Sequence, residues 1–149
     1  MKNLLLILFS GLSFSVLSQN IVKQKLFESK FIGWEIERAI FDDKDTVVYF
    51  SLGMQNAKYP TITDIMSIYI DRRNVLENFA NKLSEFASKE KGVEISSIIK
   101  NDDKEIILDL YDFSELIYVR TEGKHFRITK QKALNTSKEM LQNLHLLTK

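Results

Sequence analysis

The chain has 149 residues, 21 basic and 20 acidic side chains, one proline, five glycines and no cysteine. Near-neutral charge argues against gripping nucleic acid through phosphate neutralisation, which needs a basic excess or patch. The lack of cysteine excludes disulfides, thiolate metal sites and a cysteine-linked lipid anchor, so packing alone must hold the fold.

The first segment reads as an export signal. Lys2 supplies a positive start, Leu4 to Phe9 an apolar middle, and Val16 and Ser18 the small or modest side chains of a cleavage site before Gln19. The apolar run is shorter than the roughly 20 residues that a membrane span needs. Residues 1–18 are therefore expected to be a secretory signal peptide, and residues 19–149 a single α+β domain exported to the periplasm or the medium, with no stable membrane anchor after cleavage. The Ser18-Gln19 junction resembles those on exported bacterial proteins, a likeness of the signal alone. Losing Lys2 brings the two charge signs level.

Residues 20–30 read as extended. Trp34 to Phe41 alternates, with Trp34, Ile36, Arg38 and Ile40 on one face. A polar turn over Asp42, Asp43, Lys44 and Asp45 leads into the β-forming run Thr46 to Leu52. Gly53 to Pro60 reads as a loop, and Thr61 to Ile70 as the next strand, with Asp64 on the face of Ile62, Met66, Ile68 and Ile70. Asp71 is placed as an N-cap. Val75, Leu76, Phe79, Leu83, Phe86 and Ala87 then recur at helical spacing, predicting a helix over about 72–90 with Gly92 at its C-terminal end. Val93 to Ile99 and Glu105 to Tyr111 read as strands around the turn Asn101-Asp102-Asp103. Glu115 to Thr121 and Lys124 to Thr129 form a hairpin across Glu122-Gly123. A last helix spans about 131–147, with Ala133, Ser137, Met140, Leu141, Leu144 and Leu147 as its apolar stripe.

The expected fold is an antiparallel sheet of six to seven hairpin-connected strands with two helices on one face. The expected order is three strands, a helix, four strands and a helix.

Chemistry-bearing patterns are sparse. The two histidines, His125 and His145, lie apart, and no phosphate-binding glycine loop or nucleophile elbow occurs. The aspartate clusters fit turn chemistry. No cofactor or metal is expected. The segment Met54 to Pro60 collects side-chain amides, a cation and an aromatic ring, so Gln55, Asn56, Lys58 and Tyr59 are the candidate binding residues. Asp64 joins them as a charge on an apolar strand face that requires a partner. Tyr69, Tyr111 and Tyr118 would line the sheet face that the helices leave open. The leading reading is a noncatalytic exported binding module for a protein or peptide partner. The alternatives are a small exported hydrolase using His125, Asp64 and a serine or water, and a self-associating envelope structural protein.

Overall fold

The computed structural model describes residues 21–30, 32–41, 45–56, 66–111 and 114–147. The segment read as an export signal lies outside them, as do the turn at 42–44 and the connection at 57–65.

Among the described residues, eight strands and two helices form an α+β fold. The first group is β1 (Ile21–Glu28), β2 (Trp34–Phe41), β3 (Asp45–Asn56) and β4 (Met66–Ile70), followed by α1 (Arg73–Ala87). The second is β5 (Ile95–Asn101), β6 (Lys104–Leu110), β7 (Leu116–Thr121) and β8 (Lys124–Thr129), followed by α2 (Lys130–Asn143) and a 3-10 turn, Leu144–Leu146. Each group is a four-stranded antiparallel meander. The two join where the end of β3 meets β8, Gln55 opposite His125 and Asn56 opposite Lys124.

Several expectations need correction. Four strands precede the first helix, not three, because residues 21–28 pair with β2 on both sides of an unpaired Leu26. A register shift between Lys25 and Phe27 turns Phe27 toward the core while Lys23 and Lys25 stay on the opposite face, so β1 lacks the simple alternation that marks a strand in sequence. Residues 53–56 continue β3 rather than open a loop. The first helix is shorter than 72–90. Arg72, not Asp71, holds the N-cap position, and it makes no side-chain capping bond. The helix ends at Ala87 with Ser88 as its cap, so Gly92, at φ 85°, serves the following turn instead. The second helix starts at Lys130, capped by Thr129, and tightens into the 3-10 turn at Leu144. Its buried stripe takes in Thr136, while Leu141 faces solvent.

The core lies between the helices and the inner face of the sheet. Alternate residues of each strand point inward: Trp34 and Ile36 on β2, Phe50 and Leu52 on β3, Leu108 on β6 and Val119 on β7. Aromatic contacts run from β1 to α1: Phe27 lies 4.9 Å from Trp34, Trp34 5.4 Å from Phe50, and Phe50 6.2 Å from Phe79. The helices are pinned to each other by Ser137, whose buried hydroxyl donates to Ala80 O at 2.7 Å. Glu122-Gly123 closes the β7–β8 hairpin, with Gly123 at φ 72°, a conformation that costs a side-chain-bearing residue.

Candidate functional site

Opposite the core, the odd-numbered residues of β2, β3 and β8 and the even-numbered residues of β7 form an outer face. Directly paired residues of an antiparallel ladder share a face, and the registers carry this one across both halves: Tyr49 opposite Glu37, Gln55 opposite His125, His125 opposite Arg120, and Tyr118 opposite Asp109.

In the first half, charge is shared across strands. Lys25 bridges to Glu35 at 2.8 Å and to Glu28 at 3.0 Å, and Glu35 and then Glu28 push its ammonium up to about 12. Tyr49 donates to Glu37 at 2.9 Å. Burial, followed by that bond to Glu37, raises the Tyr49 hydroxyl above its ordinary value. The Lys23 ammonium sits 6.0 Å from the Tyr49 ring centre and is raised chiefly by the Tyr49 hydroxyl. Tyr69, on β4, meets Tyr49 edge-on at 5.3 Å and is itself 54% exposed.

The second half places its charge differently. Asp109 is buried in the outer layer, held by Arg120 Nε at 2.7 Å and Nη2 at 2.6 Å and by the Ser96 hydroxyl at 2.8 Å. Beside it Tyr111 and Tyr118 form a second edge-on pair at 5.2 Å.

Two concavities meet at Tyr69. The outer one, of about 360 Å³, lies between Lys23, Tyr49 and Tyr69, with Asp71 and Asp102 on its far side. Asp102, at φ 57° in the β5–β6 turn, pairs with Arg72. Asp71 lines this hollow, while Arg72 holds the N-cap position of α1. The second cavity, of about 140 Å³, lies in the seam between β4 and the tips of the β5–β6 and β7–β8 hairpins. Asn101 closes this seam: its Nδ2 donates to Tyr69 O at 2.8 Å.

Of the residues nominated from sequence, Gln55 and Asn56 are placed by backbone register at the end of β3. Asn56 stands opposite Lys124, which lines the seam cavity. Lys58, Tyr59 and Asp64 lie outside the described residues. Tyr69, Tyr111 and Tyr118 share the outer face. His125 shares it too, opposite Arg120 and Gln55. His145 is exposed on the 3-10 turn, its Nδ1 3.0 Å from Gln142 O.

Sequence reasoning missed Asn101 and Lys104 altogether. Asn101 had been assigned to a turn, and its contact with β4 spans 32 residues of chain, which no local pattern signals. Among the described residues, no group of three or more His, Asp and Glu is placed to hold a metal ion, and no helix is long and apolar enough to cross a membrane. The chain matches no protein-family model, no curated protein and no solved structure.

Proposed function

We propose that this chain is an exported, noncatalytic binding module whose protein or peptide partner docks on the outer face of the sheet beside Tyr69. Tyr69 carries the reading. It is a large ring, more than half exposed, braced edge-on by Tyr49, and it forms the wall between two concavities. A tyrosine held this way offers apolar area and a polar tip with little rotamer freedom left to lose, which is the profile of an interface anchor. Lys23 and Asp71 border the same hollow and supply both charge signs for orientation. Gln55 and Asn56 belong to the proposed surface as the end of the strand that leads to the seam. Export rests on the pattern of residues 1–18.

The test is affinity capture from envelope and medium fractions of the native host, using the mature chain, Tyr69→Ala and a Lys138→Ala control on exposed α2. A stoichiometric partner held by the native chain and the control but lost by Tyr69→Ala supports the reading. A partner retained by all three would place the interface elsewhere.

A further inference from the structure

The outer hollow beside Tyr69 is lined by three charged residues, Lys23, Asp71 and Asp102, together with Val47, Tyr49 and Tyr69. Two of the three charges are already answered within the molecule. Asp102 pairs with Arg72. The Lys23 ammonium is held by the Tyr49 hydroxyl, which itself donates to Glu37, and Glu37 also acts on Lys23 directly. Asp71 differs. It is half-buried and makes no hydrogen bond or ion pair among the described residues. The arginines that follow it in the chain do not fill that role: Arg72 is committed to Asp102, and Arg73 opens α1 without pairing to Asp71. The charge left over in the hollow is therefore negative.

The tyrosine pair in the lining already serves one cation. Lys23 Nζ lies 6.0 Å from the centre of the Tyr49 ring, and aromatic faces attract cations through their quadrupole. Tyr69 meets Tyr49 edge-on, is 54% exposed, and has no cation over it among the described residues. A second cation entering the hollow would find this ring and Asp71 together. The hollow, of about 360 Å³, exceeds the roughly 150 Å³ that holds a benzene ring, so a planar cation and its stem fit.

We propose that the hollow receives an arginine side chain of the docked partner, with the guanidinium stacked on Tyr69 and paired with Asp71. This rests on the reading of the outer face as the docking surface and adds the chemistry of what docks there. A guanidinium suits an open hollow better than an ammonium does. It is more weakly hydrated, its plane stacks on a ring, and its fork of N–H groups matches a carboxylate. An anion would meet Asp71 and Asp102 with only Lys23 to offset them, and Lys23 is already held by Tyr49.

An NMR titration of the whole mature chain tests this, read at the Tyr69 amide and ring protons. The probes are acetyl-Gly-Arg-Gly-amide and the same peptide with citrulline, lysine or glutamate at its centre. The arginine peptide should give saturable shifts in the millimolar range. Citrulline, neutral and of nearly the same shape, should bind at least about fivefold more weakly, lysine about threefold more weakly, and glutamate not at all. Asp71→Asn should weaken the arginine peptide about threefold, and Lys23→Gln should tighten it about twofold by removing a like charge. Lys138→Gln on exposed α2 should change nothing. The proposal is overturned by citrulline, lysine or glutamate binding as tightly as arginine, by the absence of a saturable shift with the arginine peptide, or by weaker binding to Lys23→Gln. The comparison of probes uses the unaltered chain, so it stands even where a variant folds poorly. A partner captured through Tyr69 with no arginine preference here would leave the docking surface in place and exclude this occupant. Arginine binding with no partner captured would do the reverse.

Discussion

The inner face of the sheet presents one kind of side chain to its helices, whereas the outer face carries tyrosines, charges and small apolar patches with no helix over them. Inward residues such as Trp34, Phe50 and Leu108 are excluded from solvent and gathered into one cluster with α1 and α2. Outward residues differ between the two halves. Asp109 is enclosed by Arg120 and Ser96, so its interactions are closed within the molecule. Tyr69 is braced on one side and open on the other. Position on the outer face therefore does not decide a residue's role. What decides it is whether the residue's polar and apolar surface is already used.

Substitutions graded by size would sharpen this contrast. The largest effect belongs to the inner face. Phe79, 1% exposed and packed against Phe50, should cost about 3–5 kcal/mol when replaced by alanine, read from the denaturant midpoint. Next comes the closed outer network. Arg120→Ala leaves the buried Asp109 carboxylate with Ser96 as its remaining named donor, and should cost about 1–3 kcal/mol. Adding Asp109→Asn should recover part of that loss. If Arg120→Ala were neutral, Asp109 would be as open as Tyr69 and the contrast would collapse. Smaller still is Ser137→Ala, which removes one helix–helix hydrogen bond and should cost about 1 kcal/mol.

Tyr69→Ala should cost at most about 1 kcal/mol, because the ring is mostly solvated and gives up a single aromatic contact. Greater destabilisation would show that Tyr69 serves packing. The smallest effect is in the titration of Tyr49. Its phenol is raised above 10.0 by burial and Glu37, against the opposing pull of Lys23. The neutral form is thus favoured in the folded chain. Its contribution to stability is complete below the ordinary phenol value and is lost as pH climbs through the raised one. Phenolate absorbance of the native chain minus that of Tyr49→Phe should titrate above 10.0. A difference that titrates at or below it would mean that burial and Glu37 together do not favour the neutral phenol.

The elements most legible in the sequence were those with local signals. The alternation in Trp34 to Phe41, the Glu122-Gly123 turn and the helical spacing of Val75 to Ala87 each announce an element within a few residues. Residues 20–30 read as extended, as β1 is, but the bulge breaks the alternation that would count them as a strand. The continuation of β3 escaped because Gln55 and Asn56 are pairing residues that look like turn formers. Asp71 resembled a cap, yet Arg72 takes that position and Asp71 borders the outer hollow. The shared face of Tyr69, Tyr111 and Tyr118 was readable from strand parity. The seam cavity was not, since it exists only where β4 meets two hairpin tips distant in sequence.

The most direct test of the central claim is site-specific photocrosslinking of the chain in its native host. A photoreactive residue would be placed at position 69 on the outer face, and separately at position 141 on the solvent side of α2. The account predicts one discrete adduct from position 69 and none from position 141. Equal adducts from both positions, or an adduct from position 141 alone, would contradict it.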